Sequence, residues 1–427
     1  MTELKQYTHP KDFKSHKVLI DQKDFSALTV SFEIFQDLFS PYWTAQIVIS
    51  DTQNRIMFDK ITQGSLVDIW LEDRLKKEHF QFVIYKMSDR QLVKQQHYTY
   101  VFDLINVAFI KDQKTRISKY YDDKKASDFA KEMLNEIGGV GTITATNGTY
   151  SFIVPNMSPM AATQWAAKWS EVPDAGADIL VYQSNHKSWS FQSLEKMFGT
   201  PSRVLNKLIQ KPQNLKNDDK TEPEDYYITM EQYKFVNHVD AIPNVIRGAF
   251  ANTTLVHDMK NKVASTVTYN YGQDNEADAS KKPFKRFDGI TNANISYQPV
   301  ISSNIEEDKK TFSEDHEKWR GSRKSNMMKL DTNRLIVSIP GRIDIFDQLG
   351  KAVYVELPSQ QDIDISKWYD DYYKGNYVIT AMRHIWTQKS YETFIELGKK
   401  RLDKSLWLII KLKIVDSHTD YLHGGLV

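Results

Sequence analysis

Two stretches of this sequence say nearly the same thing, and the constraint they impose reaches most of the chain. His97 to Leu104 reads HYTYVFDL and Ser390 to Leu397 reads SYETFIEL, each a Tyr, an alternating polar and aromatic or aliphatic run, then an acid followed by Leu. Side chains alternate faces along a strand, so each stretch reads as a half-buried strand. Walking backwards from each gives further partners in the same order. They are FVIYKM (Phe82 to Met87) with YVITAM (Tyr377 to Met382), and GSLVDIWLE (Gly64 to Glu72) with GKAVYVELP (Gly350 to Pro358). Before them stand RIMFDKITQG (Arg55 to Gly64) with RIDIFDQLG (Arg342 to Gly350), and QIVIS (Gln46 to Ser50) with RLIVS (Arg334 to Ser338). Amphipathic strands resemble one another because a pleated surface favours the same residues, so one pair alone carries little. Conserved order, with an offset drifting only from 286 to 295 residues, favours one unit used twice. Each copy is expected to form an antiparallel barrel of about five to seven strands.

Between the copies the hydrophobic period changes. Ala126, Phe129, Ala130, Met133, Leu134 and Ile137 recur at helical spacing, with Gly138 where a helix ends. Asn147-Gly148 in TITATNGTYSFIV is the preferred two-residue turn and predicts a hairpin. Ser158-Pro159 then predicts a helix start, with Trp165 and Trp169 packed on one face rather than offered as a stacking platform. The fold class read from this is mainly β with an α+β insert: two similar antiparallel β-barrels flanking a small α+β domain. The expected boundaries are 1–113 for the first barrel, 114–225 for the α+β domain, and 226–272 with 330–402 for the second barrel. Residues 273–329 read as a charged insertion and 403–427 as a C-terminal extension. Around Lys260 to Lys262 a hairpin is expected, and the segment holding His316 reads as a solvated helix.

Composition narrows the function classes. The 56 basic and 55 acidic residues leave no global field to attract nucleic acid or anionic lipid. No Cys is present, which removes disulfides, thiol nucleophiles and cysteine metal sites together. The polar N-terminus and the lack of a long apolar run predict a soluble chain without a membrane anchor. HEKWR at His316 begins like a zinc-protease helix, but Arg320 stands where the second His belongs. Nucleophile-elbow and nucleotide-binding signatures are missing. The acid pairs Asp122-Asp123, Asp218-Asp219 and Glu306-Glu307 lie adjacent in polar stretches, unlike the opposed carboxylates of a glycosidase cleft. The sequence therefore predicts no catalytic site, no metal and no cofactor.

Three sets of residues stand out as contact candidates. Trp386 and Tyr391 flank the turn of the closing hairpin, where an aromatic is either a plug of the barrel or a subunit contact; contact is the reading favoured here. Lys281, Lys282, Lys285 and Arg286 interleave with Phe284 and Phe287, a pattern suited to a phosphate-tracking or docking loop. SLWLIIKLKIV, with Trp407, Leu408, Ile409 and Ile410, is apolar and β-prone and is expected to pair with a neighbouring subunit or tube protein.

The closing hairpin GNYVITAMRHIWTQKSYETFIELG, the preceding GRIDIFDQLGKAVYVELP and the segment VPNMSPMAATQWAAKWS, in this order of elements, resemble the baseplate hub proteins of contractile phage tails. The likeness is to the T-even hub family and, more widely, to the N-terminal part of type VI secretion spike proteins. It covers about Lys17 to Leu402. It implies a homotrimer whose six similar barrels ring a channel, so that a three-fold spike meets a six-fold tail tube. The implied partners are the tube protein, a trimeric spike as a separate chain, surrounding baseplate wedge proteins and DNA passing through the channel. The implied location is the virion, after assembly in the host cytoplasm. Gln273 to Lys329 and the C-terminal extension have no counterpart in that pattern. The alternative from the residues alone is a tail-associated carbohydrate-binding or cell-wall-degrading β protein.

Overall fold

A computed structural model describes residues 15–73, 76–94, 97–173, 176–210, 229–238, 242–270, 294–300, 311, 316–328, 330, 333–358, 370 and 373–399. The first part of the chain is a run of strands: β1 (Ser15–Ile20), β2 (Lys23–Asp24), β3 (Thr29–Asp37), β4 (Thr44–Asp51), β5 (Leu66–Glu72), β6 (Lys77–Lys94) and β7 (His97–Asn106). The middle holds β8 (Ile117–Lys124), β9 (Gly139–Ile143), β10 (Tyr150–Met157), β11 (Ile179–Asn185) and β12 (Ser188–Ser193), together with the helices Ala126–Ile137 and Pro159–Trp169. Beyond lie β13 (Lys207–Ile209), β14 (Gln232–His238), β15 (Ala251–Asp258), β16 (Val263–Asn270), β17 (Ile295–Val300), β18 (Asn333–Pro340), β19 (Ala352–Glu356), β20 (Gly375–Thr387) and β21 (Tyr391–Gly398).

The repeat read from the sequence is present as topology. In the first copy the strands run β4-β7-β6-β5, and in the second β18-β21-β20-β19, all neighbours antiparallel. Small details recur at the aligned positions. The Gly64 N–H donates to Ile84 O at 2.8 Å and the Gly350 N–H to Ile379 O at 3.0 Å, and each copy bulges immediately afterwards, at Ile84/Lys86 and at Ile379/Ala381. Across β4 and β7 the Gln46 amide donates to Asp103 at 2.9 Å; at the matching place Arg334 pairs with Glu396 at 2.6 Å. The second register is displaced by two residues, Leu335 opposite Leu397 where the first copy sets Ile47 opposite Phe102. A two-residue shift keeps every side chain on its face. Ile47, Ile49, Phe102 and Leu104 are therefore as buried as Leu335, Val337, Ile395 and Leu397.

Both glycines that open the β5-type strand have positive φ, +90° at Gly64 and +75° at Gly350. Their surroundings differ. A Cβ on Gly64 would meet nothing within 4 Å, whereas one on Gly350 would come within 2.6 Å of the Tyr182 hydroxyl. Gly64→Ala is thus expected to cost about 1 kcal/mol of left-handed strain alone, and Gly350→Ala clearly more, because buried Tyr182 must also move. Urea melts of the two variants check this, and equal losses would refute it.

The fold is mainly β as expected, but among the described residues no sheet closes into a barrel, so the expected pair of barrels is not confirmed. The strands form one 13-stranded sheet, ordered β14-β18-β21-β20-β3-β4-β7-β6-β5-β1-β2, with β19 on β20 and β13 on β19. The reason lies in β3. Its free edge pairs with the far half of β20, Asp37 opposite Ala381 through Ser31 opposite Thr387, and so joins the first copy to the second rather than returning to its own β6.

The middle segment is α+β as its periodicity indicated. The Ser158 hydroxyl caps the second helix, accepting from the Ala161 N–H at 3.3 Å and donating to Asp112 at 2.9 Å. Trp169 is buried, edge-on to Tyr150, Phe152 and Trp165. The hairpin expected at Asn147-Gly148 does not form. β9 pairs in parallel with β12 while β10 pairs with β8, so the turn connects two sheets. Tertiary pairing here overrides a local turn signal.

β14 joins the large sheet, but β15 and β16 form a separate three-stranded sheet with β17. The helix His316–Met328 packs on it: the Asn252 amide donates to Gly321 O at 3.3 Å, and Gly321 lies against the ring of Tyr269. Arg323 of the same helix reaches into the middle segment and donates to Ala167 O at 2.9 Å and Ile179 O at 3.0 Å. Burial lowers the guanidinium to about 10. This helix was expected to be solvated; a half-buried arginine bonded to two carbonyls of the middle segment makes it a clamp instead.

Candidate assembly surface

The junction between the copies is built on β3 and β20. Trp386 stacks on Phe32 with centroids 5.0 Å apart and lies 3.8 Å from the ring of His16. The Gln36 amide donates to Phe346 O at 3.1 Å, and Arg383 pairs with Glu33 at 2.7 Å across the same two strands. Beneath them His384 stacks on Phe346 at 3.9 Å, its Nδ1 3.3 Å from the Tyr391 hydroxyl and 3.2 Å from that of Thr393. The Tyr391 hydroxyl also lies 3.2 Å from Arg342 O. Burial pushes the Tyr391 phenol up and holds the His384 imidazole down at about 3, so the ring stays neutral.

Trp386 is 4% and Tyr391 8% exposed, so both fill the interior of this chain. Both were expected at a subunit contact, and within this chain its own strands cover them. The shift has a simple cause: β3, from the other copy, lies beside the closing hairpin and covers it, and nothing in the local pattern of residues 375–398 announces that neighbour.

Two strand edges near these elements are open among the described residues. Up to Ile84, β6 is flanked on both sides, by β5 and β7; from Tyr85 onward it pairs with β7 alone. Every residue from Tyr85 to Val93 is exposed, including Tyr85, Met87, Leu92 and Val93. The second open edge is β14, which pairs only with β18 and exposes Tyr233 and Val236. The sequence reading missed both. They become visible only when the two copies are compared strand by strand. Leu92 stands opposite Tyr98 as Trp386 stands opposite Tyr391, yet it is 60% exposed.

The remaining candidates are more easily placed. Lys281, Lys282, Lys285, Arg286, Trp407, Leu408, Ile409 and Ile410 lie outside the described residues, as do Asp218, Asp219, Glu306 and Glu307. Asp122 accepts from the hydroxyls of Tyr120 and Ser151, a structural use. No group of three or more His, Asp or Glu among the described residues is arranged to hold a metal ion. A groove of about 330 Å³ is lined by Lys17, Trp70, Glu72 and Lys77; Lys77 and Glu72 pair across it at 3.5 Å, an ordinary exposed ion pair. No helix among the described residues is long and apolar enough to cross a membrane.

No protein-family model matches the chain, and no curated protein matches it by sequence. Solved structures do match its fold. The tail protein from Neisseria meningitidis MC58 superposes with a TM-score of 0.52 at 10% identity, over 90% of this chain and 96% of that one. The chain shares the fold of that protein. The 43 kDa tail protein of prophage MuSo2 from Shewanella oneidensis gives 0.53 at 9% identity, over 91% and 99% of the two chains. The likeness therefore extends over the whole fold of both chains and is not confined to one part of it.

Proposed function

We propose that this chain is a structural protein of a phage tail or a related injection machine, seated in the baseplate as its hub. The observation that carries the reading is a four-strand unit used twice within a fold that tail proteins share along nine-tenths of the chain. A protein that bridges a six-fold tube and a three-fold spike needs two like surfaces per subunit, and an internal repeat in a homotrimer supplies six. In this reading the tube protein and a trimeric spike are separate chains above and below, wedge proteins surround the ring, and DNA passes through its channel. The basic residues Lys281, Lys282, Lys285 and Arg286 then face DNA or a docking partner, and the C-terminal segment holding Trp407 to Ile410 adds a strand to a neighbour. The chain works by fixing geometry and carries no chemistry of its own.

Particle imaging tests this reading. The expected result is three-fold density with six like units at the tail end, occupied by three chains of 49.7 kDa. A monomer that binds or cleaves cell-wall glycan would overturn it in favour of the carbohydrate-active alternative. Truncation after Lys404 is expected to weaken assembly, and unchanged assembly would remove the role given to the C-terminal segment.

A further inference from the structure

The structure contains one complete junction between a first copy and a second, β3 against β20, and the two strand edges needed to make that junction again. β3 and β14 are equivalent, for β3 lies on β4 and β14 on β18, with Phe32 opposite Ile47 and Phe235 opposite Leu335. The far halves of β6 and β20 correspond through the strand each lies on, Leu92 opposite Tyr98 as Trp386 is opposite Tyr391, with two further bulges in β6, at Met87/Asp89 and Leu92/Lys94. Within the chain, β3 fills the edge of β20. The edge of β6 and the edge of β14 remain open among the described residues, and they cannot fill one another within one copy of the chain without leaving the sheet order observed.

We infer that neighbouring copies of this chain join head to tail by repeating the internal junction, β14 of one copy pairing antiparallel with the Arg90 to Val93 part of β6 in the next. The register follows from the internal one. Phe32 lies opposite Trp386 and Ser31 opposite Thr387. Transferred through the repeat, Phe235 falls opposite Leu92 of the neighbour.

Burial supports the transfer. Trp386 is 4% exposed because Phe32 lies against it, whereas Leu92 is 60% exposed and no strand among the described residues lies beside β6 at that point. Val93 is 52% exposed, and on the other edge Tyr233 is 39% and Val236 44% exposed. Exposed apolar residues on unpaired strands are the combination that edge-to-edge pairing removes, since it bonds the backbone groups and covers the side chains together. Arg90 lies over the rings of Tyr98 and Tyr100, at 4.5 and 5.8 Å, and roofs the core where the next strand begins.

The two edges are different surfaces, so the contact is heterologous and builds a ring or an open filament. Repetition of one junction at every step makes the first and second copies alternate around the ring. The edges and their register come from the internal junction, while closure at three chains rests on the hub reading above.

The lack of any native cysteine makes the register directly testable. Residues directly opposite in an antiparallel pair lie about 4.5–5.5 Å apart at Cα, within disulfide range. The double variant Leu92→Cys/Phe235→Cys, oxidised at high protein concentration, is expected to give covalent multimers on a non-reducing gel, with the ladder stopping at a closed species of three chains. Either single variant, and the mismatched pair Leu92→Cys/Ile153→Cys, should show no such ladder. Leu92→Asp, which adds no cysteine, should lower the assembled mass to that of one chain while leaving the thermal midpoint of the monomer unchanged. Trimer mass without the crosslink would overturn the edge pairing and leave the hub reading standing. Single-chain mass at every concentration would overturn both, and equal crosslinking by the mismatched pair would overturn the register.

Discussion

Trp386→Ala is expected to lower folding stability by about 3–5 kcal/mol, the range for removing a fully packed large aromatic. The indole is 4% exposed and stacked between Phe32 and His16, and its strand forms the seam between the two copies. Truncation leaves a void that neither copy can fill alone, because its walls belong to both. Leu92→Ala, at the equivalent place in the first copy, is expected to change stability of the isolated chain by no more than about 0.5 kcal/mol, as is usual at exposed sites. Chemical denaturation of the two variants in dilute solution measures the contrast. Comparable losses would mean that the equivalence of Leu92 and Trp386, or the openness of the β6 edge, is wrong.

The second large effect concerns pH. His384 is fully buried on Phe346 beneath the seam, facing the hydroxyls of Tyr391 and Thr393, and burial holds its pKa down at about 3. In the unfolded chain the same group titrates near its ordinary value of about 6.5. Between these values the unfolded state binds a proton that the native state does not, so stability falls as pH drops below about 6.5 and continues to fall toward 3. At pH 5 the accumulated loss from this one group is about 2 kcal/mol, at about 1.36 kcal/mol per pH unit. His384→Phe keeps a ring on Phe346 and removes the proton, and the phenol of Tyr391 retains the Arg342 carbonyl. The difference in stability between pH 7 and pH 5 is expected to be smaller in this variant by about 2 kcal/mol. An unchanged difference would show that His384 titrates normally in the folded protein.

Much of the fold is legible in the residues because it is periodic. The alternation in HYTYVFDL and SYETFIEL sets which side chains are buried, and the five ordered blocks set which strands correspond. Positive φ at Gly64 and Gly350 and the matching bulges follow from that correspondence. The helices Ala126–Ile137 and Pro159–Trp169 are likewise written in their spacing and in the Ser158 cap. Asn147-Gly148 misleads because a turn signal says that the chain reverses, but not which strands it then joins. The helix at His316 misleads in the opposite sense: its polar sequence suits a solvated surface, yet Arg323 finds two buried carbonyls on another segment.

Trp386 and Tyr391 illustrate the limit for the candidate surface. Their strand pattern says that one face of the hairpin is apolar, and an apolar face must be covered; whether β3 of the same chain or another molecule covers it is a long-range choice. Leu92, Tyr233 and Val236 went unnoticed for the same reason, since a strand's own residues do not say whether another strand lies beside it. The sequence by itself determined the repeat, the faces and the strand types, because these depend on side chains a few positions apart and on the order of blocks. Only the tertiary structure decided that the copies join through β3 and β20 and, among the described residues, that no sheet closes on itself and which edges remain, because backbone pairing between distant strands uses groups that every residue carries alike.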